Sequence, residues 1–187
     1  LGVRYDRGEG VKEDPITAFT WFSSAAAQGH LKAMCNLGRC YLYGRGVEKN
    51  EYKAVEWFRK AAEQGFANAQ YQLGYCYYSG EGIMQNPVKA VEWLTKAVAQ
   101  NDPDAQWLLG LCYVDGNGVA KDVAQAFKLF QKSADQGNDT AQDKLGDCYY
   151  SGIGTEENDK LAVEWYRKAA EQGNAAAQCS LGECYYR

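Results

Sequence analysis

The pair Leu-Gly returns at Leu1-Gly2, Leu37-Gly38, Leu73-Gly74, Leu109-Gly110, Leu145-Gly146 and Leu181-Gly182, a constant step of 36 residues with no insertion. A strict period of this size means one supersecondary unit stacked on copies of itself, which constrains the fold more than composition can. Each unit opens with Ala-x-x-x-Leu-Gly-x-x-Tyr-x-x-Gly, as in Ala69, Leu73, Gly74, Tyr77 and Gly80. The i, i+4, i+8 spacing puts Ala69, Leu73 and Tyr77 on one face of a helix. Glycine inside a helix costs about 1 kcal/mol relative to alanine, so its recurrence predicts a neighbouring helix too close for a β-carbon.

A Gly-x-Gly loop follows, at Gly44 and Gly46, Gly80 and Gly82, Gly116 and Gly118, Gly152 and Gly154. Its first glycine suits a left-handed position that ends the first helix. Four residues after the second glycine comes a helix N-cap type, namely Asn50, Asn86, Asp122 and Asn158, with Asp14 in the same register. Pro15 and Pro87 directly follow two of these, at a position where proline is tolerated. The second helix reads Lys-Ala-x-x-Trp-Phe-x-x-Ala-Ala, with Ala54, Trp57, Phe58, Ala61 and Ala62 on one side and Glu56, Arg59, Lys60 and Glu63 on the other. It closes at Gly29, Gly65, Asn101, Gly137 or Gly173, residue types that accept a left-handed conformation. The bulky series Trp21, Trp57, Trp93, Leu129 and Trp165 alternates with alanines, as facing helices that interdigitate require.

One unit is therefore a helix hairpin with too little apolar face to fold alone, and stacking supplies the core. The expected fold class is all-α, a solenoid of antiparallel hairpins forming one elongated domain. Its parts are a partial repeat at 1–29, repeats at 30–65, 66–101, 102–137 and 138–173, and a partial repeat at 174–187. The chain starts and stops inside a first helix and has no initiating Met, so a fragment of a longer protein is expected.

The pattern Ala-x-x-x-Leu-Gly-x-x-Tyr-x-x-Gly-x-Gly-Val, then Asp/Asn, Lys-Ala, Trp and Ala-Ala-x-x-Gly, closely resembles the Sel1-like repeat, a relative of the tetratricopeptide repeat. The resemblance covers the whole chain. It implies a right-handed α/α superhelix whose first helices line the concave surface, and an adaptor that holds other proteins together. Some members are disulfide-linked between the two helices of a repeat, but the second helices of this chain hold no cysteine. A β-lactamase-like activity is associated with some relatives, but no Ser-x-x-Lys occurs here.

The remaining features fit that reading. A net charge of −4 gives no reason to expect nucleic acid or an acidic membrane as partner, and no apolar run suggests membrane insertion. Of seven cysteines, Cys40, Cys76, Cys112, Cys148 and Cys184 share one repeat position beside the buried face. Stacked equivalents stand roughly 8–10 Å apart, beyond the ~7 Å between α-carbons that a disulfide needs. Cys35 with Cys40, and Cys179 with Cys184, cannot close without breaking a helix. Zinc needs clustered ligands, and His30 is the single histidine, so no metal and no cofactor is expected. Buried, reduced thiols and a cytoplasmic location follow. The Gly-x-Gly loops follow helices, not strands, so loop geometry explains them and a phosphate cradle does not. With His30 at a turn, no nucleophile and base are paired, and no catalytic residue is assigned.

Function should then lie where repeats differ. With Leu37 at the centre of the buried face, Cys35, Arg39 and Leu42 form a stripe expected to point away from it. The equivalents are Tyr71, Tyr75 and Tyr78, then Trp107, Leu111 and Val114, then Asp143, Asp147 and Tyr150, then Cys179, Glu183 and Tyr186. An apolar stripe on an exposed face marks an interaction site, and Tyr and Trp are favoured anchors. The expected partner-binding set is Tyr71, Tyr75, Trp107 and Leu111 at the centre, Arg39 with Lys32 at a basic end, and Asp143, Asp147 and Glu183 at an acidic end. The competing reading folds these side chains sideways into the core, most readily Tyr78, Val114 and Tyr150. A protein or peptide segment is the expected partner. The alternative is a regulatory or substrate-positioning module of an enzyme whose catalytic domain lies outside this chain.

Overall fold

The register of the repeats translates directly into helices. A computed structural model describes residues 2–3 and 12–186; Leu1 and Arg187, which belong to the repeat register, lie outside the described residues. Ten helices are named among the described residues: α1 (Pro15–Ala27), α2 (Leu31–Tyr43), α3 (Glu51–Glu63), α4 (Ala67–Ser79), α5 (Pro87–Val98), α6 (Pro103–Asp115), α7 (Val123–Asp135), α8 (Asp139–Ser151), α9 (Asp159–Glu171) and α10 (Ala175–Tyr186). Gly2 and Val3 are helical as well, and no strand occurs among the described residues. The even-numbered helices are the first helices of the repeats and the odd-numbered ones the second. Contacts divide the chain into two compact units, Leu1–Ala97 and Val98–Arg187. In the first, α2 with α3 and α4 with α5 form sequential hairpins, preceded by α1. In the second, α6 with α7 and α8 with α9 do so, followed by α10.

The boundaries are local chemistry. The side chains of Asp14, Asn50, Asn86, Asp122 and Asn158 accept N–H bonds from Thr17, Lys53, Lys89, Gln125 and Leu161 at 2.9–3.1 Å. Each supplies a partner to an otherwise orphaned first-turn amide, worth about 1 kcal/mol. The backbone N–H groups of Asn50, Asn86, Asp122 and Asn158 reach back to the carbonyls of Tyr41, Tyr77, Tyr113 and Tyr149 at 2.7–3.0 Å, closing each hairpin. Gly44, Gly80, Gly116 and Gly152 end the first helices at φ values of 65–83°, and Asn101 takes the glycine place at φ 63°.

The helical glycines have the predicted cause. A β-carbon on Gly38 or Gly110 would stand 2.5 Å from Cε1 of Phe58 or Phe130, and one on Gly146 the same distance from Tyr166. Gly74 faces Leu94, where the added atom would lie 2.9 Å from Cγ. Two expectations are corrected here. The residues that enter these notches are Phe22, Phe58, Leu94, Phe130 and Tyr166, each one position after the tryptophan series. Leu129 is buried, but Trp21 is 46% exposed and Trp57, Trp93 and Trp165 sit at the rim. The buried arc of α3 (Ala54, Val55, Phe58, Ala61, Ala62) centres on Phe58, and Trp57 lies one helical step off that centre. There its indole meets Lys60 at 4.4 Å from the ring centre, as Trp93 meets Lys96 at 3.9 Å and Trp165 meets Lys168 at 3.7 Å. The second correction concerns the Gly-x-Gly loops. A β-carbon on Gly46, Gly82 or Gly154 would collide with the carbonyl oxygens of Pro15, Glu51 or Val123, in the preceding repeat's second helix. These glycines serve stacking as well as loop geometry.

A polar ladder, unnoticed in the sequence, joins repeats within the second unit. Gln106 and Gln142 are buried at one repeat position, and their side-chain oxygens accept from Gln136 and Gln172 at 2.8 Å. Gln142 donates to the Ala134 carbonyl, Asn138 to Asp104, and Asn174 to Asp139. These bonds satisfy helix ends that stacking would otherwise bury unpaired.

Candidate functional site: the open stripe of the first helices

Within the two units, α2 packs on two sides, against α1 and α3, and α8 does the same against α7 and α9. The buried arc is wider than one face, and the open stripe is narrower and rotated. On α2 the exposed side chains are Lys32, Arg39 and Tyr43, with Asn36 half-buried between them. Cys35 and Leu42, expected to point outwards, are 2% and 1% exposed and belong to the core. Cys35 Sγ lies 3.1 Å from Asn68 Oδ1, so the first turn of the next first helix covers it. The position shared by the expected and the observed stripe is that of Arg39, Tyr75, Leu111, Asp147 and Glu183.

In the first unit, α2 and α4 carry Lys32 and Arg39 and no carboxylate. Tyr71 and Tyr75 are half-buried, with ring centres 6.4 Å apart and planes tilted by 47°. Tyr78 packs against the first unit's core. In the second unit, Trp107, Leu111 and Val114 are half-buried against the core formed with α7 and α8. All three rest against that core while part of their surface stays open.

The acidic residues divide by environment. Asp143, expected on the surface, is 4% exposed. Its Oδ2 stands 3.5 Å from Lys144 Nζ, and its Oδ1 is buried with no hydrogen-bond partner. Burial, then Asp147, raises the Asp143 pKa against the opposing pull of Lys144. Asp147 Oδ2 accepts from Lys144 Nζ at 2.6 Å and its Oδ1 from the Tyr166 hydroxyl at 2.9 Å. Burial, then the bond to Asp147, raises the Tyr166 pKa far above the ordinary phenol. Burial lowers the Lys144 pKa, but Asp147 and Asp143 outweigh it and the net direction is up. Sequence reasoning missed Lys144, although its i, i+3 spacing to Asp147 is legible. Glu183 on α10 is exposed. With Asp147, Tyr150, Tyr166, Ser180 and Cys184 it lines a polar hollow of about 170 Å³.

Other chemistry is sparse. His30 caps α2, its Nδ1 accepting from the Ala33 N–H at 3.3 Å. Burial pushes the Cys76, Cys112 and Cys148 thiols up to about 12, 11 and 12, far from a reactive thiolate. Among the described residues no group of three or more His, Cys, Asp or Glu could hold a metal ion. No described helix is long and apolar enough to cross a membrane.

With this geometry in view, the comparisons with known proteins are consistent. A family profile described as Sel1 repeat matches residues 1–30, 31–66, 67–102, 103–138, 140–174 and 175–187. The chain is similar to the crystal structure of a Sel1 repeat protein from Oxalobacter formigenes, with a TM-score of 0.89 and 38% identity over 98% of this chain and 73% of that one. It is also similar to a protective antigen of uropathogenic Escherichia coli, with a TM-score of 0.79 and 40% identity over 99% of this chain and 40% of that one. An immunity protein of Pseudomonas aeruginosa matches with a TM-score of 0.66 and 26% identity, over 94% of this chain and 67% of that one. No curated protein matches the chain. Sel1 repeat proteins generally mediate protein–protein interaction and are typically non-catalytic. Six matched repeats, the hairpins they fold into and the notched first helices together place this chain in the Sel1 repeat family.

Proposed function

We propose that this chain is a non-catalytic scaffold that binds a segment of a protein partner on the open stripe of its first helices. The observation that carries this is the Tyr71–Tyr75 pair on α4, with Arg39 at the repeat position of Tyr75 on α2. Two half-buried aromatic rings stand on a face whose helices bear cations and no carboxylate. Rigid aromatics with one polar end give large contact area at low entropic cost, which suits a binding surface. In the second unit, Asp147 and Glu183 supply acidic character while Trp107, Leu111 and Asp143 support the surface from beneath. A segment bound at the tyrosines of the first unit is apolar where it meets them, and one bound at Asp147 and Glu183 of the second unit is basic. Its chemistry is that of protein, not nucleic acid, given a net charge of −4. The buried thiols suit a reducing, cytoplasmic setting.

The test is capture of partners from the source cell with the whole chain as bait, followed by mass spectrometry. Binding of the captured partner is then measured with Tyr71→Ala and Trp107→Ala. Tyr71→Ala should weaken binding and leave stability little changed, whereas Trp107→Ala should lower stability first. A partner that ignores Tyr71→Ala removes the proposed surface.

A further inference from the structure

Exposure of large apolar side chains follows the repeat in one place. The second residue of the second helices is Ile16 on α1, Tyr52 on α3 and Val88 on α5, and these are 70%, 77% and 57% exposed. They stand 36 residues apart, so stacking sets them in a row within the first unit. Met84, 88% exposed, joins the row from the loop before α5. That loop lies against the start of α3, since a β-carbon on Gly82 would stand 2.4 Å from the carbonyl oxygen of Glu51, the neighbour of Tyr52. In the second unit the row's positions hold Ala124 and Lys160, and those of Met84 hold Ala120 and Glu156. Single exposed apolar residues are ordinary, but an aligned set of large ones marks an interaction site.

The charges beside the row are unequally matched. The nearby cations of α3 and α5 are engaged: Lys49 Nζ stands 2.7 Å from Glu51, and Lys53 and Lys89 lie 5.4 and 5.6 Å from the ring centres of Tyr41 and Tyr77. Lys12 and Glu48, which hold the Met84 position in the two earlier repeats, offset each other. Glu56 and Glu92 lie one helical turn beyond Tyr52 and Val88 on the same face. Both are exposed, and neither has an ion-pair or hydrogen-bond partner among the described residues. That flank of the row is acidic and uncompensated.

The spacing selects the backbone that fits. Equivalent positions on stacked helices stand roughly 8–10 Å apart. Seven residues of α-helix rise about 10.5 Å, so a helix laid across α1, α3 and α5 meets the row with every seventh residue. One face of a strand recurs at about 6.7 Å, or about 13 Å at every second step, and keeps no such register. A second copy of this chain does not supply the helix, because no described helix exposes large apolar residues seven apart.

We infer that Ile16, Tyr52, Met84 and Val88 form a second docking surface, taken by an amphipathic helix of a partner protein. That helix carries an apolar residue at every seventh position and cationic side chains along the flank that meets Glu56 and Glu92. The surface lies on the second helices and is independent of the stripe on the first.

The probe is a fluorescein-labelled model helix of about 21 residues, with leucine at every seventh position, lysines along one flank, and alanine and glutamine elsewhere. Its binding to the whole chain is read by fluorescence anisotropy. One control peptide replaces the lysines by glutamates, and another keeps the composition but spreads the leucines round the helix. The lysine helix should saturate, and both controls should bind about tenfold or more weakly. Tyr52→Ser and Val88→Ser, at sites more than half exposed, should each weaken the lysine helix about tenfold and leave unfolding by circular dichroism as in the wild type. Glu56→Lys combined with Glu92→Lys should reverse the preference, so that the glutamate helix binds the tighter. Tyr71→Ala should leave the titration unchanged. Equal binding of the three peptides, or indifference to Tyr52→Ser, overturns the inference. Weakening by Tyr71→Ala does so as well, by placing the peptide on the first helices. Concentration-dependent dimerisation that Tyr52→Ser abolishes in sedimentation also overturns it, and assigns the row to a second copy.

Discussion

Replacing Gly38 by alanine sets two effects of opposite sign against each other. Alanine at a helix interior gains about 1 kcal/mol in intrinsic propensity over glycine. The new β-carbon, however, would stand 2.5 and 2.7 Å from Cε1 and Cδ1 of Phe58 and 3.1 Å from Cζ. Carbon atoms rest at about 3.5–4.0 Å, so the ring or the helix must move by about 1 Å. Phe58 has no exposed surface and cannot swing aside. Overpacking of this kind costs about 1–3 kcal/mol. Gly182 supplies the internal control, since it holds the same register in α10 and an added β-carbon there meets nothing within 4 Å. Both variants share the propensity gain, so their difference isolates the clash at about 1–3 kcal/mol. Urea unfolding followed at 222 nm measures it, with Gly182→Ala unfolding at or above the wild-type midpoint and Gly38→Ala below it. Equal midpoints for the two variants would show that the ring does not hold the notch, and the packing argument would fail. Gly74→Ala should fall between them, because Leu94 can adjust a methyl where Phe58 cannot tilt a ring.

Three further outcomes follow from the second unit and the cysteines. Asp143 has a raised folded pKa, so it costs stability above that pKa, and the cost disappears as pH falls below the ordinary carboxylate range. Asp143→Asn should therefore unfold at higher urea than wild type at neutral pH, with the gap closing near about pH 4. Tyr166→Phe keeps the ring that fills the Gly146 notch but takes the hydroxyl from Asp147, and should cost about 1–2 kcal/mol in the same assay. Thiol labelling under native conditions should modify exposed Cys179 first, while buried Cys76, Cys112 and Cys148, with pKa values pushed to about 12, 11 and 12, react only on unfolding. Rapid native labelling of Cys112 would contradict its burial.

The helix boundaries, the hairpins and the reason for the helical glycines were legible in the chain alone. Caps, left-handed stops and i, i+4 spacing act within a few residues, so they can be read without knowing what lies alongside. The lone histidine was also placed correctly, at a turn, where it caps α2. What could not be read was which side of each helix meets a neighbour. A one-sided amphipathic reading put Cys35 and Leu42 outside and chose the tryptophans as core, whereas helices packed on two sides bury a wider arc and centre it on Phe58 and its equivalents. Likewise, the charge pattern alone counted Asp143 and Asp147 as an open acidic surface. Only the fold shows Asp143 buried and Lys144 and Tyr166 bound to Asp147. Local order is written in neighbouring residues, but exposure and charge compensation depend on groups brought together from separate helices, and those only packing decides.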